Sequence, residues 1–158
     1  MHSRIFQIST TPIDKEDYIE ESDYWDHWFT NSVADYVNGD TNRESDIEWL
    51  KDCYDNDGLS FGADSGGEYF VVEDKSKYFT KRFEMFQKTL RELSEVTLDD
   101  FANGACSGKV YNLNATYDDE FGFYVDGEDT GMETFDNFIR YCNNGGKFYI
   151  GSTIDYHW

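Results

Sequence analysis

The chain has 158 residues, with 33 Asp and Glu side chains against 13 Lys and Arg, which gives a formal net charge of −20 at pH 7. Aromatic residues make up 18% of the sequence, and this share excludes a disordered polyanion, because disorder requires few aromatic and β-branched residues. The negative charge argues against direct binding to nucleic acid or to anionic membranes, since basic surfaces recognise both. A chain of this length suits one acidic globular domain spanning residues 1–158.

The first third of the chain is predicted to hold one strand and two helices. Residues 3–9 are rich in β-branched and aromatic side chains, which is typical of a strand. Residues 25–37 repeat apolar side chains at helical spacing, and Gly39 is placed to end that helix. A second helix is predicted to begin at residues 45–48, whose Ser and Glu form a capping box.

The middle of the chain indicates a hairpin followed by a long helix. Residues 55–73 contain two apolar runs around an Asp-Ser-Gly-Gly turn, which is typical of a β-hairpin. A helix is predicted from about Lys75 to Thr97, with Asp74 as its cap. Its apolar residues are spaced 4, 3, 4 and 3 apart and form one stripe: Phe79, Phe83, Phe86, Leu90 and Leu93.

The last third is predicted to contain a second hairpin, a helix and a strand. Residues 109–118 and 121–125 suggest the hairpin, and a capping box at residues 130–133 opens the helix. Residues 147–156 return as the final strand. The order of elements predicts an α+β domain. We expect a mostly antiparallel sheet of about six strands, including two hairpins, covered on one face by about four helices.

The sequence carries no recognisable catalytic motif. Its three cysteines are Cys53, Cys106 and Cys142, an odd and scattered set that argues against a disulfide framework or a zinc site. The three histidines are dispersed, and no Gly-rich phosphate loop or nucleophile elbow is present. We therefore expect no enzyme and no cofactor. No apolar run is long enough for a signal peptide or a membrane span, so we expect a cytoplasmic protein.

The charge is polarised along the chain. Residues 11–70 hold 17 acids and 3 bases, whereas residues 75–91 hold six of the 13 bases. A wide field of one sign attracts a basic partner and speeds its association. The predicted partner-binding residues are two acidic groups with their neighbouring tyrosines: Asp118, Asp119, Glu120, Asp126, Glu128 and Asp129, and Tyr18, Glu20, Glu21, Asp23, Tyr24 and Asp26.

The aromatic residues between positions 18 and 29 have two interpretations. Trp25, Trp28 and Phe29 are flanked by acids and fit a binding face, but we expect the two tryptophans to fill the core together with Phe29. Tyr18 and Tyr24 fit the rim of the core and a binding face equally well, because interfaces favour tyrosine anchors ringed by polar groups.

A divalent-cation site is the alternative from another functional class. The loop after the second helix carries Asp55, Asp57 and Gly58 at the third, fifth and sixth positions of a calcium-loop pattern. Cys53 stands at the first position, however, and no exiting helix follows. The candidate ligands for this cation-binding or enzymatic loop are Asp52, Asp55, Asp57 and Asp64.

In overall character the chain resembles the acidic inhibitors that phages and mobile elements encode, namely the anti-CRISPR and anti-restriction proteins of the DNA-mimic type. The resemblance covers the whole chain and rests on small size, acidity, free thiols and the lack of a catalytic motif, with no alignable motif. It implies a stoichiometric inhibitor of a basic nucleic-acid-binding protein, a nuclease such as an RNA-guided effector. The alternative that relies on the same attraction between an acidic and a basic surface is an immunity protein that neutralises a basic toxin nuclease.

Overall fold

The computed structural model describes all 158 residues, and they form one seven-stranded sheet with six α-helices, which confirms the α+β class. The strands are β1 (His2–Ser9), β2 (Tyr36–Asn38), β3 (Leu59–Asp64), β4 (Gly67–Val72), β5 (Tyr124–Gly127), β6 (Gly131–Thr134) and β7 (Lys147–His157). The helices are α1 (Trp28–Ser32), α2 (Arg43–Tyr54), α3 (Lys75–Ser94), α4 (Leu98–Ala102), α5 (Ser107–Tyr117) and α6 (Phe135–Tyr141), with short 3-10 helices at Lys15–Asp17 and Glu21–Tyr24. No helix combines the length and the apolar character that crossing a membrane requires.

The sheet is mostly antiparallel, as predicted. Its strand order is β3-β4-β7-β1-β5-β6, and β2 also pairs with β7. Only β1 and β5 run parallel to each other. The two hairpins are β3–β4 and β5–β6. Because β1 and β5 are parallel, their carboxyl ends lie at the same edge of the sheet, which matters for the candidate site.

A β-bulge in β7 changes which face its residues occupy. Phe6 of β1 pairs with Thr153, but Ile8 pairs with Ile150, so β7 holds one extra residue at this point. The Gln7 side-chain oxygen accepts a hydrogen bond from the backbone amide of Ser152 at 3.2 Å and fixes the bulge. An extra residue reverses the alternation of a strand. Ile150 and Ile154 therefore point to opposite faces although they are four residues apart.

Helices cover both faces of the sheet, which corrects the expectation of one covered face. The larger core packs α2, α3 and α6 against one face and includes Phe6, Phe70 and Phe135. The smaller core lies on the other face, where Tyr24 and Phe29 of the 21–34 segment pack on the sheet. The central strands carry apolar side chains on both faces of the sheet, so each face must be buried under another layer.

The predicted helix over residues 25–37 is wrong. The segment forms the short α1 and then β2, which pairs with β7. Thr30 and Asn31 donate side-chain hydrogen bonds to the backbone carbonyl of His27, both at 2.9 Å. Such local bonds compete with continued helix formation. Trp25 and Trp28 are 68% and 51% exposed, so the expectation that they fill the core is also wrong, whereas Phe29 is fully buried.

The predicted hairpin over residues 109–125 is also wrong in its first half. Residues 107–117 form α5, which packs against α3, and β5 pairs with β6 instead. The capping box predicted at residues 130–133 does not form: Thr130 lies in the turn before β6, and residues 131–133 lie in that strand. Thr134 caps α6 instead, by accepting from the Asn137 amide at 3.2 Å. The first hairpin, the strands β1 and β7, and α3 with Asp74 as its cap are confirmed. Helix α2 begins at Arg43 and has Asn42 as its cap, slightly earlier than expected.

Candidate protein-binding surface

Most of the negative charge has no cation beside it. Nine contacts within 4.0 Å join a Lys, Arg or His side chain to a carboxylate, and they engage eight different Asp and Glu residues. Of the 33 acids in the chain, 25 therefore have no Lys, Arg or His partner within 4.0 Å. These unpaired carboxylates are the charge that an external partner can use.

The buried acids serve the fold. Asp46 and Asp155 both bind the guanidinium of Arg4, and the Thr153 hydroxyl donates to Asp46 at 2.7 Å. Asp136, in α6, is 3% exposed and pairs with Arg82 of α3. These carboxylates are enclosed by donors and are not available to a partner.

Some of the acids available to a partner lie around the shared carboxyl-terminal edge of β1 and β5, while others, such as Glu44 and Glu84, are exposed on the helices. The hydroxyl of Tyr24 donates a hydrogen bond to Asp126 of β5 at 2.7 Å and ties residues 14–26 to the sheet. Asp17, Asp126 and Glu128 line one cleft of about 520 Å³ at this edge. We define the acidic ledge as four exposed carboxylates of residues 17–26 together with three at the end of β5: Asp17, Glu20, Asp23, Asp26, Asp126, Glu128 and Asp129.

Two exposed tryptophans belong to the same segment. Trp25 and Trp28 are 68% and 51% exposed, and the exposed acids Asp23 and Asp26 stand beside them in the chain. Large aromatic residues surrounded by polar groups are the usual anchors of protein interfaces. The sequence analysis favoured the core over a binding face for both rings, because helical spacing placed them on the apolar side of a predicted helix.

The two tyrosines of the predicted site hold the segment together. Tyr24 is only 1% exposed and cannot contact a partner directly, which corrects its assignment to a binding face. Burial, reinforced by the nearby Asp126 carboxylate, raises the pKa of the Tyr24 hydroxyl far above its usual value of 10. Tyr18 is half-buried, with the Arg43 guanidinium 5.9 Å from its ring centre. Glu21 is half-buried as well, and its carboxylate accepts from the Gly39 amide at 2.9 Å.

The predicted group of acids between residues 118 and 129 is divided by β5. Asp118 accepts a hydrogen bond from the Thr134 hydroxyl, and the Asp119 amide donates to the carboxylate of Asp136 at 3.2 Å. Both residues are half-buried at the amino end of β5, where Glu120 alone is exposed. Glu128 and Asp129 follow the carboxyl end of the strand and are exposed. Only this second half joins the acidic ledge.

The four candidate cation ligands do not come together. Asp57 pairs with Lys81, and Asp64, the last residue of β3, pairs with Lys147 of β7 at 2.6 Å. Asp52 lies on the exposed side of α2, and Asp55 ends that helix. The structure contains no group of three or more His, Cys, Asp and Glu residues arranged to hold a metal ion.

A histidine pair was also missed. Antiparallel pairing of β1 with β7 brings the rings of His2 and His157 to 5.0 Å. His2 contacts Asp155 at 2.9 Å and His157 contacts Asp35 at 3.2 Å. The ring of Tyr36 stacks on His157 at 5.2 Å, so the pair joins β2 to the sheet. Nothing in the sequence reveals this contact, because the two residues lie at opposite ends of the chain.

No protein-family model, no curated protein and no solved structure matches this chain. The functional proposal therefore depends on the acidic ledge and on the tryptophans beside it.

Proposed function

We propose that the protein is a stoichiometric inhibitor of the anti-CRISPR or anti-restriction kind, which acts in the bacterial cytoplasm. The acidic ledge binds the basic nucleic-acid-binding surface of a defence nuclease and keeps nucleic acid away from it. The observation that carries this proposal is a set of carboxylates without cation partners, held beside two exposed tryptophans.

Duplex DNA presents one negative charge per roughly 1.7 Å of its axis, and DNA-handling proteins bind it in channels lined by Lys and Arg side chains. A row of carboxylates on a folded surface offers the same charge to such a channel. The segment that carries the ledge is anchored twice. Gln7 donates to the Asp17 carbonyl at 2.8 Å and accepts from the Ile19 amide at 3.3 Å, while Tyr24 bonds to Asp126. A pre-ordered surface loses less conformational entropy on binding, which favours affinity.

Neutralising four acids of the ledge is expected to weaken binding to the nuclease at least about 100-fold at low salt, by analogy with charge-pair losses at other interfaces. The variant is Asp17→Asn/Asp26→Asn/Glu128→Gln/Asp129→Asn, whose four side chains are exposed and make no hydrogen bond within the protein. The probe is a bacterial lysate that contains RNA-guided and restriction nucleases, passed over immobilised protein at low salt and eluted by a salt step. The readout is the recovery of one nuclease that its own nucleic acid displaces.

The control carries the same change of net charge in another place: Glu44→Gln/Asp52→Asn/Glu84→Gln/Glu95→Gln. These four exposed acids lie on α2, on α3 and directly after α3. This control is expected to retain the nuclease. Equal recovery of a broad set of basic proteins by all three forms would mean that the charge acts without a site, and the proposal would fail. Recovery of a small toxin nuclease would instead identify an immunity protein that uses the same ledge.

The tryptophans are expected to contribute affinity that salt does not remove. Trp25→Ala and Trp28→Ala should each lower the affinity for the recovered nuclease by about 2 kcal/mol or more, the range of interface anchors. Their thermal stability should change little, because both side chains are mostly exposed. Tyr141→Ala, which removes a ring that is 76% exposed on α6, is the control and should bind like the parent protein. Calorimetric titration at low and high salt measures the difference, and unchanged affinity in both Trp variants would remove the aromatic anchors from the proposal.

A further inference from the structure

The helices α3, α4 and α5 form an arm, residues 75–117, with almost nothing buried in it. Tyr78, at the root of the arm, is part of the larger core, and Cys106 is the other buried residue of the segment. The remaining apolar side chains stay partly open, and eight of them are strongly exposed. Four of the eight follow one another along α3 and α5: Phe83 (58%), Leu90 (41%), Val110 (46%) and Tyr117 (56%). The other four are Met85, Leu98, Phe101 and Tyr111. Helices in water are stabilised mainly by packing of an apolar face against another part of the protein. The exposed apolar side chains of the arm are not covered by any other part of the chain.

The exposed side chains form a face that runs along both helices. Phe79, Phe83, Phe86 and Tyr117 line one groove of about 270 Å³ between α3, α5 and α6. Helical spacing continues this face along α3 and α5, and we call the whole set the apolar arm face: Phe79, Phe83, Phe86, Leu90, Leu93, Val110, Leu113 and Tyr117. Two helices side by side cannot bury such a face, which needs a second layer.

The charge of the arm differs from that of the rest of the chain. Residues 75–117 contain 7 bases and 5 acids, a balance of +2. The remaining residues contain 6 bases and 28 acids, a balance of −22. Two copies of this protein repel each other wherever their acidic bodies approach, and the arm is the part where they can meet without that repulsion.

We propose that the apolar arm face is covered by the same face of a second copy, so that two arms form a four-helix bundle with two-fold symmetry. Such an isologous contact pairs one surface with itself, and four-helix bundles bury faces of this kind. The partly exposed rings of Phe83 and Tyr117 with Leu90 and Val110 supply on the order of 400 Å² of apolar area per copy. This is about half of the roughly 800 Å² per partner that a stable interface buries, and the residues flanking the face would have to supply the rest. The proposal does not depend on the function of the acidic ledge.

The test is the mass of the full-length protein in solution by sedimentation velocity over a range of concentrations. The parent protein is expected to reach twice the mass of the chain, and Phe83→Glu is expected to weaken the association constant at least about 30-fold. Met85→Glu is the matched control, since Met85 is also 58% exposed on α3 but lies in a different groove with Lys88 and Asn112. It should change the association constant by less than about threefold. Val110→Glu, on α5, should repeat the effect of Phe83→Glu and guards against a folding defect in one variant.

Salt separates this contact from the binding of a nuclease. Pairing of the arms should strengthen between about 50 and 500 mM NaCl, because salt screens the repulsion between two acidic bodies while the apolar contact remains. Binding through the acidic ledge should weaken over the same range. A parent protein that stays monomeric at high concentration and high salt would overturn the proposal. Equal effects of Phe83→Glu and Met85→Glu would do so too.

Discussion

Replacing Arg82 with Met is expected to lower the free energy of unfolding by about 3–5 kcal/mol at neutral pH, the cost of leaving a buried carboxylate without its cation. Arg82 joins α3 to Asp136 of α6, which is 3% exposed. The Tyr78 hydroxyl donates to the same carboxylate at 2.8 Å, and the Asp119 amide donates at 3.2 Å. Without the guanidinium, these two donors must hold a full negative charge inside the larger core.

The loss should depend on pH. Burial raises the pKa of Asp136 above its usual 3.8, while the Arg82 guanidinium and the Tyr78 hydroxyl act in the opposite direction. A carboxyl group with a raised pKa in the folded state contributes stability below its unfolded pKa. That contribution is lost as the pH rises through the folded value. Removing Arg82 raises the pKa of Asp136 further. As the pH falls, Asp136 of the variant takes up a proton and no longer holds a buried charge, so the variant loses less stability. We therefore expect Arg82→Met to cost less at about pH 5 than at about pH 7.5.

Urea unfolding of dilute protein, where the proposed pairing of the arms would not contribute, measures both effects. Arg91→Met is the control, because Arg91 is exposed on the same helix and has no carboxylate partner. It should cost less than about 0.5 kcal/mol. Arg82→Met/Asp136→Asn should recover part of the loss, since the Asn oxygen still accepts from Tyr78 and carries no charge. A loss that is the same at both pH values, or the same in the double variant, would contradict a buried charge as the cause.

Local sequence signals were sufficient to predict those helices and strands that combine a strong apolar pattern with a clear boundary residue. Helix α3 has a regular apolar stripe, and Asp74 accepts hydrogen bonds from the Ser76 and Lys77 amides. Residues 25–37 have an equally apolar pattern but fold differently. Their Val37 pairs with Tyr156 of β7, far away in the chain. Tertiary pairing of this kind overrides helical spacing and leaves no signature in a single sequence.

The candidate site was predictable as a region and only partly as a set of residues. The acidic segments 14–26 and 118–129 follow from composition, because uncompensated charge is visible in the sequence. Which carboxylates stay free depends on contacts between distant residues. Asp118 is bonded to Thr134, whereas Glu128 is open. Tyr24 reaches Asp126 across 102 residues, and that single bond turns a candidate contact residue into the support of the ledge.

Replacing Tyr24 with Ala is expected to damage the fold and the candidate site together. Tyr24 packs with Ile5, Phe29 and Tyr156 in the smaller core, and its hydroxyl holds Asp126. Loss of a buried aromatic ring costs about 3–5 kcal/mol. Because the ring and the hydroxyl tie residues 14–26 to β5, the variant should also lose protection from hydrogen exchange in that segment. Its affinity for the proposed nuclease partner should fall although no carboxylate has been removed.

Tyr24→Phe separates the two contributions. It keeps the ring in the smaller core and leaves the half-buried Asp126 without its donor, which should cost about 1–2 kcal/mol. Tyr141→Ala, at an exposed ring, controls for the loss of an aromatic side chain. Unfolding free energies, hydrogen exchange of residues 14–26 and nuclease binding are compared for the three variants. If exchange in that segment were unchanged in Tyr24→Ala, the ledge would be held by other contacts and Tyr24 would serve the core alone. If exchange rises and binding falls together, the rigidity of the segment is what presents the carboxylates to the partner.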